Sequence, residues 1–414
     1  MNIQSLRGMP DFFPDDLKKW HLLESTLSQI FNAYGIAEIR TPLLESTELF
    51  SRSVGNSSDI VNKELYSFLD KNQKSISLRP EGSAGVIRAI IQKKQEHEKH
   101  KLWYQGPMFR YERPQKGRFR QFHQVGVEYL GYEEGLSEFE LISMLININK
   151  QLGIDQYSLK INHLGDVEAK KNFCTALKIF LEPHLSSLHE KDIARLESNP
   201  LRVLDSKEES TQLLLKDAPK FEDFISEKSK LFLKDLAHHY SDKCDITIDS
   251  NLVRGLDYYT GLVFEMVSEE LGAQDAFLGG GRYDHLTTEL GGKPMPAVGF
   301  AVGLERIIEL MNVESSNVPA KVALIIVDEQ DNQKTYKISH ALREVNLKIT
   351  LDAFLSNGSL KSQLRRANKS HCNFAIIVGS DERVAGKFTW KDLGEQGDQN
   401  LVSLEELLEV YKNL

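Results

Sequence analysis

At 414 residues the chain is longer than one hydrophobic core usually serves, so two or three domains are expected. With 41% hydrophobic and 27% charged residues and a formal net charge of -9, it reads as a globular protein, which excludes the disordered and fibrous classes. Apolar runs such as Val322 to Val327 are too short to cross a bilayer and the N-terminus lacks a signal peptide's apolar centre, so a cytoplasmic protein with no membrane partner is expected.

In chain order, Leu17, Trp20, Leu23, Leu27, Ile30 and Tyr34 recur at helical spacing behind Pro14 and Asp15, predicting a first helix that ends near Gly35. GIAEIRTPLLE follows, with β-branched residues and a proline that interrupts ladder bonding, as an edge or interface strand would have. Pro80 to Lys94 reads as a helix with Val86, Ile87, Ile90 and Ile91 on its apolar side. From Asp166 to about Tyr240 the sequence turns helical and charge-rich, predicting an inserted helical subdomain over about 166–243. Strand patterning returns from Cys244 to Val267, and the helix-like GLERIIELMN leads into NVESSNVPAK, a polar stretch suited to a linker. From Lys321 to Leu414 the apolar runs VALIIV and FAIIVG alternate with helical segments, as in a small α/β domain. The expected division is therefore 1–318 and 319–414.

MFRYERPQKGRFRQFHQVGVEYLG crowds Arg110, Arg113, Lys116, Arg118 and Arg120 together, with Glu112 the only acid among them. Strand alternation puts Phe122, Gln124, Gly126 and Glu128 on one face and His123, Val125, Val127 and Tyr129 on the other. The matching alternation places Arg110 and Glu112 on one face of the preceding strand. A solvent-facing hairpin with a basic tip is the simplest reading. Against it stand a Glu and an Arg interleaved with Phe109, Tyr111, Phe122 and Tyr129, because charges beside large aromatics are usually paired or working. SLRPEGSAG puts Arg79, Glu81 and Ser83 at a strand-to-helix junction, where backbone N–H groups are free to bind a ligand. LVRGLDYYTGLVFE sets Arg254, Asp257, Tyr258 and Tyr259 among glycines, and FLGGGRYDHL carries Tyr283. PAVGFAVGLERIIEL runs into a helix whose first turn holds Glu305 and Arg306. Each glycine run alone is weak evidence, and no P-loop or GxGxxG fingerprint appears.

Taken together, these stretches resemble the class II aminoacyl-tRNA synthetases, and among them the histidyl-tRNA synthetase family. GIAEIRTPLLE resembles the first class II signature, whose proline, here Pro42, lies at a dimer interface. MFRYER through VGVEYLG resembles the second, and VGFAVGLER the third, ending in Arg306. LRPEG and LVRGLDYY resemble the pieces peculiar to the histidine enzymes, with Ser83 standing where the family usually has Thr. The resemblance implies an α+β fold: an antiparallel sheet flanked by helices, interrupted by a helical insertion and followed by a mixed α/β anticodon-binding domain.

It also implies a reaction, the ATP-dependent ligation of L-histidine to tRNA(His) through histidyl-adenylate, with Mg²⁺ bridging phosphate oxygens and a homodimer as the working form. By resemblance, Arg110 holds the α-phosphate with Glu112 beside the nucleotide, Arg306 holds the γ-phosphate, and Arg254 approaches the α-phosphate and the histidine carboxylate. Glu128 and Tyr259 resemble the imidazole contacts, Tyr258 and Tyr283 line that pocket, and Glu81, Ser83 and Gln124 resemble the contacts to the amino and carboxylate groups. Arg113, Gln115, Lys116, Arg118 and Arg120 resemble a loop that meets the tRNA acceptor stem. Lys361, Arg365 and Lys369, on one helix face, fit either a solvated surface or an anticodon contact. The alternative is the synthetase-like regulatory subunit of ATP phosphoribosyltransferase, which binds histidine without charging tRNA. Such relatives generally lack the C-terminal domain and lose several motif residues, whereas Arg110, Glu128, Arg254, Arg306 and the stretch from Lys321 to Leu414 are present here. A catalytically inactive RNA-binding module would usually come fused to other domains.

Other features carry no expected function. HEKH at His97 to His100 is not HExxH, and His238 and His239 diverge on a helix, so no protein-held metal is expected. His123 falls on the apolar strand face, as a core histidine would. Cys174, Cys244 and Cys372 are odd in number and far apart, which fits reduced thiols and not a disulfide framework.

Overall fold

The computed structural model describes residues 3–55, 58–115, 117–272, 275–313, 320–353, 358–394 and 397–414. The chain divides into two compact units, Met1–Glu314 and Ser315–Leu414.

The first unit is built on an eight-stranded sheet. Its spatial order is Ala37–Glu38, His100–Phe109, Gln121–Leu130, Ala297–Gly303, Ala276–Arg282, Thr260–Val267, Ser158–His163 and Asp245–Ile248. The six central strands pair antiparallel, as expected, but the strand at each edge pairs parallel with its neighbour. Val125, Val127 and Tyr129 enter one core with Leu23 and Leu27 of the helix Pro14–Ala33 and Leu141 and Leu145 of the helix Leu136–Gln151. Each such fully buried leucine is worth about 1.5–3 kcal/mol. The alternate positions Phe122, Gln124 and Glu128 leave that core and line a cavity.

Two sequence expectations shift. The ladder ends at Phe109, so Arg110 and Glu112 lie in the connecting loop and not on the strand. The cause lies elsewhere in the chain: Tyr111 turns its N–H to the Glu64 carbonyl at 2.7 Å, outside the ladder. The insertion does form helices, packed around Phe173 and Phe221, whose rings stack 3.8 Å apart, in a core continuous with Val86, Ile87 and Tyr104. Its last helix, Glu227–Tyr240, instead sends Leu233, Leu236 and Tyr240 into the core of the main sheet. Pro42 is exposed, just ahead of a small sheet of Leu44–Ser46, Ser67–Leu69 and Ser75–Leu78.

In the second unit a five-stranded sheet runs Thr350–Ala353, Lys321–Ile326, Phe374–Val378, Phe388–Asp392 and Gln399–Val402. The first three strands are parallel and the rest antiparallel. Val322 and Leu324 face Leu342, Leu407 and Tyr411, whereas Ala323 and Ile325 face Ala367. Helices therefore cover both faces, as the near-continuous apolar runs require.

Candidate active site

The cavity above the central strands holds about 630 Å³ and draws on the SLRPEGSAG, MFRYER to VGVEYLG, LVRGLDYY, FLGGGRYDHL and VGFAVGLER stretches. Glu81 and Ser83 come from the junction before the helix Ser83–Lys93, and Arg110, Glu112 and Arg118 from the loop between the paired strands. Arg254, Tyr258 and Tyr259 come from the segment before Thr260–Val267, Tyr283 follows Ala276–Arg282, and Arg306 sits in the helix Leu304–Leu310. Side chains separated by more than 200 positions thus share one hollow.

Its closed end is organised around Glu128, which is only 1% exposed. Ser83 Oγ donates to one carboxylate oxygen at 2.5 Å and the Tyr283 hydroxyl to the other. Burial pushes the Glu128 carboxyl up to about 8, and these two hydrogen bonds only partly oppose it. Gly299 is paired directly across the sheet, and a Cβ there would collide with the carboxylate. Tyr258, Tyr259 and Tyr283 form a ring cluster with centroids 4.7–6.4 Å apart, which walls the space beside Glu128 with aromatic faces. Gln124 has a buried side-chain oxygen without a hydrogen-bond partner, a position a ligand donor would satisfy. Glu81 accepts from the N–H groups of Ser83 and Ala84 at 2.7 and 3.0 Å, capping the helix start, and burial holds its carboxyl above the ordinary range. Arg79 is a brace: it is buried and donates to the Pro107 and Thr41 carbonyls at 3.0 and 3.2 Å.

Cations line the wider end. Arg110 donates to the Pro80 carbonyl at 2.9 Å and lies over the Phe122 ring at 5.3 Å. Glu112 bridges Arg110 at 3.9 Å and Arg118 at 2.8 Å. Arg306 donates to the Gly117 carbonyl at 3.2 Å and to the Ala276 carbonyl. Burial, with Arg118 adding to it, holds the Arg306 guanidinium below its ordinary range, and Glu112 only partly opposes this. Arg254 pairs with Glu265 and keeps a buried Nε without a partner. Its guanidinium rests where a Cβ on Gly279 would be. Burial works against its charge, but Glu265 together with Tyr259 and Tyr258 offsets this and the pKa is raised.

Sequence reasoning missed Glu265 and the seating glycines 279 and 299. The GGG run was visible, but its meaning needed the register. Also missed were Lys191 and Arg195 of the insertion, which reach the cavity wall.

In the basic loop, Arg113 and Gln115 are exposed, whereas Arg120 stacks 3.8 Å from the Tyr111 ring centre and donates to the Glu112 carbonyl. Lys116 lies outside the described residues. Lys361 and Arg365 are exposed on the helix Leu360–Lys369. His123 packs its ring 4.9 Å from Trp20 and places Nδ1 3.0 Å from Glu305. Among the described residues, no group of three or more His, Cys, Asp or Glu side chains could hold a metal ion. No helix among them is long and apolar enough to cross a membrane.

This arrangement can hold a small ligand with a ring donor at its closed end and a polyanion at its open end. Family comparison points the same way. A model described as Histidyl-tRNA synthetase matches residues 8–307, and one described as Anticodon binding domain matches 321–414. The histidine–tRNA ligase of Francisella tularensis subsp. mediasiatica is 43% identical over 412 residues, 97% of each chain. That of Halothermothrix orenii is 41% identical over 422 residues, the full length of both. Among solved structures, apo histidyl-tRNA synthetase of S. aureus superposes with a TM-score of 0.83 at 31% identity, covering 99% of this chain and 100% of that one. A Bacillus halodurans protein titled ATP phosphoribosyltransferase regulatory subunit/histidyl-tRNA synthetase shares the fold, with a TM-score of 0.66 at 23% identity over 92% of this chain and 99% of its own.

Proposed function

From the premise that this chain belongs to the histidyl-tRNA synthetase family, a histidine–tRNA ligase of class II, we propose how its residues divide the work. The enzyme ligates histidine to tRNA with consumption of ATP. Glu128 accepts a hydrogen bond from one imidazole N–H and the Tyr259 hydroxyl serves the other ring nitrogen, while Tyr258 and Tyr283 hold the ring plane. An amino acid lacking that donor would cover a buried carboxylate without adding to its bonds from Ser83 and Tyr283, which rejects it by orders of magnitude. Glu81, Ser83 and Gln124 hold the amino and carboxylate ends.

Arg110 and Arg254 flank the α-phosphate, Arg306 takes the γ-phosphate, and Glu112 steadies Arg110 beside the nucleotide. A histidine carboxylate oxygen attacks the α-phosphorus in line, the bond to the β-phosphate oxygen breaks, and pyrophosphate leaves histidyl-adenylate behind. A ribose hydroxyl of the tRNA then attacks the acyl carbon and AMP departs. No protein nucleophile is needed; positioning and charge stabilisation carry the step. Mg²⁺, when bound, neutralises phosphate charge. Glu112 and Glu265 are already paired with arginines, which favours an ion carried in on the nucleotide over a resident one.

Arg113, Gln115, Lys116, Arg118 and Arg120 are assigned to the acceptor stem of tRNA(His), and Lys361 and Arg365 to its anticodon end. A cytoplasmic homodimer completes the reading, with Pro42 at its interface; the exposed apolar residues Leu43, Leu44, Phe68 and Leu69 near it support that placement. We further assign 1–318 to the catalytic domain, insertion included, and 319–414 to the anticodon-binding domain. The non-charging regulatory alternative is not favoured, because relatives named as ligases match over the full length and the anticodon-binding module is present.

The observation that carries this reading is the meeting of Glu128, Arg254 and Arg306 in one cavity. The test is ATP/pyrophosphate exchange with each standard amino acid in turn. Histidine alone should drive it, and Glu128→Ala should lose about 100-fold or more while still unfolding cooperatively. Near-normal exchange in that variant removes the assignment.

A further inference from the structure

The segment 249–259 lies outside the ladders of the sheet, yet it carries Arg254, Tyr258 and Tyr259 to the cavity. Much of what fixes its shape comes from the insertion. Asp257 accepts at one carboxylate oxygen from the Asn199 amide at 2.8 Å and from an Arg202 terminal nitrogen at 3.1 Å. The same Arg202 nitrogen donates to the Gly255 carbonyl at 3.3 Å. Lys170, in the helix Val167–Leu181, donates to the carbonyls of Asp257 and Tyr259 at 3.0 and 3.1 Å. On the other side the Asp257 carboxylate lies against Gly55, where a Cβ would collide with it.

Three polar side chains from two separate parts of the insertion therefore close on a loop whose other residues wall the amino-acid pocket. A loop with so few ladder bonds is ordered either in the free protein or at the ligand's expense. We propose that Asp257 is a positioning residue: through Asn199 and Arg202 it lets the insertion set the geometry of Arg254, Tyr258 and Tyr259, coupling the insertion to amino-acid binding. The proposal rests on the assignment of that pocket to histidine. Because such coupling is reciprocal, histidine in turn tightens the insertion.

The test uses the full-length protein and pyrophosphate exchange. Asp257→Ala and Arg202→Ala should each raise KM for histidine about tenfold or more, with a distinctly smaller rise in KM for ATP, which of the three loop side chains only Arg254 meets. Asp257→Asn, which keeps an acceptor for Asn199, should recover most of the loss. In hydrogen–deuterium exchange, histidine should protect 190–203 in the parent and much less in Arg202→Ala. If Asp257→Ala does not fold, Arg202→Ala still decides. An unchanged KM for histidine, a parallel rise for ATP, or equal protection in both proteins overturns the coupling. Failure of the underlying assignment looks different, because the parent itself would then show no histidine-driven exchange.

Discussion

Gly299 faces Glu128 across the ladder and Gly279 underlies Arg254, so the two groups proposed to hold opposite ends of the amino acid each occupy space a Cβ would fill. The site is cut into the sheet itself, which is why Glu128 is so thoroughly dehydrated. Dehydration has a measurable consequence in the unliganded protein. The Glu128 carboxyl sits at about 8 against an ordinary 4.5, so the folded state holds a proton that the unfolded chain has already released. A raised value means that the stabilising contribution is complete below the ordinary pKa and is lost as pH rises toward 8. Between pH 5 and 8, without histidine, the parent should therefore lose stability relative to Glu128→Gln, by roughly 1 to 3 kcal/mol. Urea denaturation at a series of pH values measures the difference. Parallel curves for the two proteins would mean that the carboxylate is already ionised at rest.

Where strands and helices meet, the buried pair Arg282–Glu138 holds the end of Ala276–Arg282 to the start of Leu136–Gln151, with side chains 2% and 0% exposed. Arg282 also donates to the Tyr132 carbonyl at 3.0 Å and to Asp284 at 2.9 Å, so its donors are well used. Removing it leaves a buried carboxylate unpaired. Arg282→Met should cost about 3–5 kcal/mol of unfolding free energy, and a second change, Glu138→Leu, should return much of it. A urea midpoint that hardly moves in the single variant would assign the pair no stabilising role. The two residues stand 144 positions apart, and nothing in the local sequence announces the bond. That is the general limit here. Period-two alternation separated Gln124 and Glu128 from Val125 and Val127 because each strand face meets one environment. The helix 227–240 was assigned to the insertion on charge-rich composition, yet Leu233, Leu236 and Tyr240 were enough to dock it on the main sheet. The end of the ladder at Phe109 was likewise set by a distant carbonyl, that of Glu64. Motifs named the candidate residues; register and packing decided what holds them.

Across the whole molecule, a chain of net charge -9 must bind a polyanion, so tRNA affinity has to come from local cations that outweigh the average field. The cavity is lined entirely by residues of Met1–Glu314, whereas Lys361 and Arg365 are exposed in the second unit. Chemistry and this part of tRNA recognition should therefore separate. In the full-length protein, Lys361→Ala/Arg365→Ala should leave histidine-driven pyrophosphate exchange unchanged, since neither residue lines the cavity. Binding of tRNA should weaken, and the fall of log affinity with log salt should become shallower by about 1.4 to 1.8, the share of two phosphate contacts. Filter binding over a range of salt concentrations reads the slope directly. If it is the same in both proteins, the helix Leu360–Lys369 is a solvated surface and the anticodon is held elsewhere on the second unit.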